Sequence, residues 1–222
     1  TPGRLIDLGC GTGRSLLEFA SRGFECTGVD LSQPSLTRAH SQTQPALLAP
    51  VLLRANLCEL DCLPAESFDY GLLLFGTLGM VCGTEARTRL LNHAARLLRP
   101  SGQLALHVHN LWPHLFLPGG RTWLIADLWR RLRGSADAGD TWRAYRGIPR
   151  IHHHVFTRRE IVRLLERCGF QLIEIIPLSA HQSHRAAGDL TARGFWADLR
   201  CTGWMIRAKK APPVDRGSTG EY

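Results

Sequence analysis

Apolar runs of four to eight residues alternate along the chain with longer stretches in which apolar positions recur at helical spacing. That alternation predicts repeated strand–helix–strand units, hence an α/β fold with a mostly parallel, Rossmann-like sheet and helices on both faces. The runs place strands near 4–8, 25–29, 51–55, 69–75, 103–109, 170–176 and 201–208. Helices are predicted near 13–22, 33–48, 84–98, 121–133 and 157–168. Thr84 and Thr157 are expected N-caps, and Gly169 after Cys168 is an expected left-handed residue past a helix end. Arg99-Pro100-Ser101-Gly102 reads as a turn between helix and strand.

The stretch from Asn110 to Ile151 breaks the alternation. It holds four of the six tryptophans (Trp112, Trp123, Trp129, Trp142), several Pro and Gly, and one helical pattern. An insert after the fifth strand lies at the carboxyl edge of the sheet, where α/β folds bind ligands, so a lid or substrate-binding subdomain is expected over 110–151. The plainer alternative, tryptophans packing the insert on the core, is expected for at least two of them. Pro212, Pro213, Gly217, Ser218 and Gly220 predict a disordered tail over 211–222, which leaves 1–210 as one domain.

With 222 residues and 44% apolar content the chain has enough material for one full core, and no apolar run nears the eighteen or so residues of a membrane span. Its seven cysteines are odd in number and form no Cys-x-x-Cys pair, which suggests reduced thiols in a cytoplasmic protein; a monomer or weak dimer is expected. The formal charge of +8 is carried by arginine, lysine occurring only at Lys209 and Lys210. Between Arg121 and Arg167 eleven arginines face five acids. That surplus suits nucleic acid, an anionic small substrate or an anionic membrane face, or it is a high arginine background.

Chemistry enters at residues 5 to 13, Leu-Ile-Asp-Leu-Gly-Cys-Gly-Thr-Gly, where an apolar strand runs into alternating glycines. Such a loop lets a ligand approach backbone, ahead of a helix whose free N–H groups face an anion. A dinucleotide fold wants a third glycine at the position that is Arg14 here, which weakens that reading. The stretch instead resembles the first motif of class I S-adenosylmethionine-dependent methyltransferases, an Asp-x-Gly-x-Gly-x-Gly signature present as Asp7, Gly9, Gly11 and Gly13, with Cys10 between. Leu98 to Gly102 match that family's turn before its fifth strand, and Phe68-Asp69 match the start of its fourth.

The resemblance implies S-adenosyl-L-methionine as cofactor and a role for each matching residue. Asp7 would hold the loop or face the ammonium group of the methionine moiety. Asp30, 17 residues after Gly13, would accept both ribose hydroxyls, with Leu31 beside the adenine. Asn56 and Leu57 match an Asp-apolar pair that meets adenine, with an amide in place of the acid. Phe75 and Gly76 would flank the reacting methyl group, although Phe75 also suits a plain core aromatic. The family usually carries a helix or two before this motif, so such a cap is expected to be missing here. No Asn/Asp-Pro-Pro-aromatic motif follows the fourth strand, which argues against a DNA or protein nitrogen as acceptor.

Methyl transfer from a sulfonium needs positioning first, and a base only where the acceptor must lose a proton. His109 is the first candidate base, His152, His153 and His154 the second, and a hydrogen-bonded structural role the alternative for His109. No metal is expected. Consecutive residues of a strand point to opposite faces, so the three imidazoles do not all converge, and no Cys or carboxylate stands at ligand spacing beside them. Cys58 and Cys62 lack a partner pair. The expected activity is methyl transfer to an oxygen or nitrogen of a small molecule. RNA is the alternative acceptor, because His153 to Glu160 faintly resemble a segment of wobble-uridine tRNA methyltransferases. A silent cofactor-binding module and a nicotinamide-dependent oxidoreductase are the alternatives from other classes.

Overall fold

Leu5 and Ile6 are adjacent and both about 1% exposed, yet they belong to different apolar clusters, one on each face of the sheet. A strand covered on both sides reads as an unbroken apolar run, which is why the first strand is legible without alternation. The computed structural model describes residues 1–43, 50–145, 148–178 and 195–212.

The chain begins β1 (Arg4–Leu8), α1 (Arg14–Ala20), β2 (Glu25–Asp30), α2 (Gln33–Thr43), β3 (Val51–Arg54) and β4 (Phe68–Leu73). It continues α3 (Thr77–Met80), α4 (Thr84–Leu97), β5 (Leu98–His109), a 3-10 turn at Trp112–Phe116, α5 (Gly120–Leu132), β6 (Asp140–Tyr145) and β7 (Ile148–His154). It closes with α6 (Arg158–Arg167), β8 (Phe170–Leu178), α7 (Phe195–Arg200) and β9 (Gly203–Lys210). Seven strands form one sheet in the order β3-β2-β1-β4-β5-β9-β8. Pairs among β1 to β5 are parallel, whereas β9 runs antiparallel to both β5 and β8. This is the predicted architecture, with its last strand reversed.

One face is covered by α4, through Leu90, Leu91 and Ala94, and by α6, through Ile161, Leu164 and Leu165. The other is covered by α1 and α2, through Leu16 and Leu36. Thr157 caps α6 in a capping box: its hydroxyl accepts from the Glu160 N–H at 3.2 Å, and the Glu160 carboxylate accepts from the Thr157 N–H at 3.4 Å. Gly169, at φ 80°, ends that helix as predicted. Thr84 is not the cap of α4. Gly83 takes that position and Thr84 is the first helical residue, its hydroxyl accepting from Arg87 at 3.2 Å. The predicted turn at Arg99 to Gly102 is a bulge inside β5: Leu98 pairs with Phe68 but Gln103 with Tyr70, and Ser101 has φ 64°.

The sequence pattern did not predict the single turn α3, the 3-10 turn at Trp112–Phe116, the hairpin of β6 and β7, or α7, which delays the last strand to Gly203. The hairpin runs on to His154, past the expected boundary at Ile151. Trp112 and Trp123 are half-buried, Trp123 stacking on His114 at 4.3 Å, while Trp129 and Trp142 are exposed. Among the described residues no helix is long and apolar enough to cross a membrane. Residues 44–48 of the expected second helix and 213–222 of the expected tail lie outside the described residues.

Candidate active site

The carboxyl ends of β1, β2 and β4 surround a cavity of about 530 Å³, a size suited to a cofactor or drug-sized ligand. After β1 the chain turns back on β2, the N–H groups of Gly9 and Cys10 both donating to the Val29 carbonyl, at 2.8 and 3.1 Å. The three signature glycines have different roles. A Cβ on Gly9 would lie 2.6 Å from Thr77, and one on Gly13 would lie 2.8 Å from Ala39, so these two are needed for close packing on α3 and α2. Gly11, at φ 52°, would meet nothing within 4 Å and lines the cavity. Gly13 does not line it. Its contact with Ala39 is the helix-packing role that the dinucleotide pattern gives to its own third glycine.

Two carboxylates line the cavity. Asp7, in β1 between Gly28 and Leu72, is 2% exposed, and burial together with the nearby charge of Asp30 raises its carboxyl to about 7 despite a hydrogen bond with Ser15. Asp30 ends β2, accepting from the Gly11 N–H through Oδ2 and from the Ser32 N–H through Oδ1, both at 2.8 Å. Burial and then the charges of Asp7 and Asp30 push the Cys10 thiol up to about 12, so it stays protonated. Leu31, Asn56 and Leu57 also line the cavity. Asn56 Oδ1 accepts from the Cys58 N–H and its amide donates to Glu59, each at 3.1 Å.

Phe75 closes the far wall with φ 56°, a conformation rare for an aromatic residue, and the Arg14 guanidinium sits 4.8 Å from its ring centre. Gly76, at φ 81°, starts α3 and does not line the cavity, whereas Thr77, Met80 and Val81 do. Sequence reasoning missed these last three together with Thr12, Arg14, Ser15 and Ser35. The signal for Thr12 to Ser15 was their place in the glycine loop and its helix. None existed for α3.

His109 departs from its expected place. It is absent from the cavity lining and packs behind Gly76, whose added Cβ would lie 2.9 Å from the imidazole. Its ring lies edge-on to His107 and His153, with centroids 4.8 and 4.5 Å away. Burial depresses His107. Gly79 lets β7 come close to α3: a Cβ there would lie 2.7 Å from the His154 carbonyl oxygen.

The insert is fastened by charge. His154, 1% exposed, has Asp140 at 2.6 Å from Nδ1 and Glu160 at 2.6 Å from Nε2. Arg131 bridges Asp127 at 2.7 Å and Glu160 at 2.9 Å, while the buried Arg87 of α4 lies 3.7 Å from Asp140. Burial would raise the Asp140 carboxyl, but the imidazoles of His154 and His152 hold it below the usual range. No Cys or carboxylate stands at ligand spacing beside the histidines in the chain, but in the fold ligand atoms of Cys82, Asp140 and His152 lie within 4.8 Å of one another. Chain spacing hid this because the three come from separate segments.

A parallel sheet whose first turn is a glycine loop, with an acid ending its second strand, defines a nucleoside-cofactor enzyme of the doubly wound class. Residues 1–175 match the family of the methyltransferase domain. The chain belongs to this family and is a class I S-adenosylmethionine-dependent methyltransferase. It is 27% identical over 207 residues to YqeM of Bacillus subtilis, whose name assigns it only provisionally to the methyltransferases; the match spans 85% of this chain and 77% of that protein. The 27-O-demethylrifamycin SV methyltransferase of Amycolatopsis mediterranei is 32% identical over 106 residues, 46% of this chain and 37% of the enzyme. In fold, a SAM-dependent methyltransferase from Methanosarcina mazei superposes with a TM-score of 0.72 at 22% identity, over 94% of this chain and 92% of that one.

Proposed function

We propose that this enzyme methylates an oxygen or nitrogen of a small molecule, with its cofactor seated in the cavity between Asp7, Gly11 and Asp30. The observation carrying this reading is the pairing, around one cavity, of open backbone at Gly11 with two acids, one of them buried at Asp7 and raised to about 7. Among the described residues no cation pairs with that carboxylate, and an ammonium group would supply one. S-adenosylmethionine, when bound, supplies an activated sulfonium methyl. Asp7 meets its ammonium group, and the backbone from Gly9 to Gly13 passes its methionine portion. Asp30 keeps lone pairs for the ribose hydroxyls while Gly11 and Ser32 hold its orientation. Leu31 and Leu57 flank the adenine. Asn56 turns a second lone pair to its amine, its oxygen aimed by Cys58.

Phe75, Gly76 and Thr77 stand at the methyl end, and His109 acts there by shaping Gly76. The exposed apolar mouth of Leu31, Phe75 and Met80 suits a small, partly apolar acceptor. The relative from Amycolatopsis mediterranei is by its name a methyltransferase of 27-O-demethylrifamycin SV. An RNA footprint is less favoured, since Arg130 and Arg131 of the arginine surplus turn inward to Asp127 and Glu160. Calorimetry should give saturable heat with S-adenosylmethionine, and heat with NAD alone would overturn the cofactor roles. With labelled cofactor, label should enter members of a panel of phenols, acids and heteroaromatic amines. Salt-sensitive labelling of tRNA instead would overturn the acceptor class and leave the cofactor site intact.

A further inference from the structure

Cys82 sits in the loop between α3 and α4, one residue past Val81 of the cavity wall, while Asp140 and His152 stand on β6 and β7 across from it. We propose that Cys82, Asp140 and His152 bind a zinc ion that ties the insert hairpin to the rim of the cofactor cavity. The donor set is one thiolate, one imidazole and one carboxylate, the mixture a borderline divalent ion prefers, and three protein ligands leave one position open. Thiolate and carboxylate together balance the ion's charge.

The geometry separates this from an ordinary polar cluster. His152 Nε2 lies 3.0 Å from Asp140 Oδ2, yet neither ring nitrogen of His152 makes an aligned hydrogen bond among the described residues, although both are buried. Two donors of one tetrahedral ion sit about 3.3 Å apart and point at a common centre rather than at each other. A buried imidazole whose near carboxylate is misaligned for a hydrogen bond is otherwise costly. Asp140 is already oriented as a ligand would be, since His154 holds Oδ1 at 2.6 Å, with Arg87 at 3.7 Å on the same oxygen, and Oδ2 is left facing His152. The Trp142 ring, centred 5.4 Å away, flanks the imidazole, and the exposed thiol of Cys82 provides the entry path.

The test is a titration of chelator-stripped protein with cobalt(II), read by absorption. A near-ultraviolet thiolate-to-cobalt band with visible d–d bands should grow to one ion per chain and vanish when zinc is added. Cys82→Ser should lose the thiolate band, and Cys62→Ser, which changes an exposed thiol outside the cluster, should keep it. His152→Ala should weaken cobalt binding at least about tenfold. Should that variant fail to fold, Cys82→Ser decides alone, since it alters a surface atom. Zinc should also protect Cys82 from alkylation and raise the unfolding temperature of the wild type. A thiolate band surviving in Cys82→Ser, no band in the wild type, or alkylation unaffected by zinc would each overturn the site.

Discussion

Replacing Asp7 by Asn should stabilise the unliganded protein and cripple cofactor binding. The carboxyl titrates near 7 in the fold against 3.8 when exposed. Between those values the native chain keeps a proton that the unfolded chain has released, so stability falls as pH rises through this window. It is fully present below about 4 and lost above about 7, at roughly 1.4 kcal/mol per pH unit. The whole shift of about three units amounts to about 4 kcal/mol, an upper bound reached only if the site admits no water. Asn has the same shape and no charge. Urea unfolding followed by tryptophan fluorescence should find the two proteins nearly equal at pH 4, where both carry a neutral group, and the variant more stable by up to about 4 kcal/mol at pH 8. Cofactor affinity at pH 8 should drop roughly tenfold to a hundredfold, the worth of one hydrogen bond to a charged group. Near pH 7, binding to the wild type should release a proton, visible as a buffer-dependent heat that the variant lacks. A stability difference that does not change with pH would refute the reasoning.

Asp30→Ala should weaken S-adenosylmethionine binding by about 1.5–3 kcal/mol if its oxygens accept the ribose hydroxyls, and an unchanged dissociation constant by calorimetry would reject that role. Gly11→Ala should cost about 1–2 kcal/mol of stability for its left-handed backbone and lose affinity, as its methyl enters the cavity. Gly13→Ala adds crowding against Ala39 worth about 1–3 kcal/mol more, so equal melting temperatures for the two would contradict the division of roles. Arg87→Met removes the buried guanidinium that donates to the Val81 carbonyl and Thr84 and lies 3.7 Å from Asp140, which keeps His154 and His152, and should destabilise by about 1.5–3 kcal/mol in denaturant melts.

Strand positions and the glycine loop were legible because their signals are local: an apolar run needs only its own residues, and Gly11 carries its backbone requirement with it. Thr157 was legible for the same reason, its partner Glu160 being three residues away. Thr84 failed because Gly83 beside it is also a capping residue, and the backbone at φ 84° took the glycine. The surroundings of the histidines were not legible, because they are long-range. His109 reached a wall behind the loop, and His152 found Asp140 and Cys82 from 12 and 70 residues away. The meaning of the arginine surplus was not legible for the same reason, since periodicity does not reveal that Arg131 bonds acids on two elements.

The reversed strand β9 is the only described neighbour of β5 on one side and of β8 on the other. During synthesis, a ribosome that has released everything through β8 holds a half-built sheet with two bare borders and no joint between them. The keystone arrives last. A nonsense codon before residue 203 therefore removes far more than its length suggests, and the shortened product faces the cell's quality control with sticky borders rather than a trimmed but working enzyme.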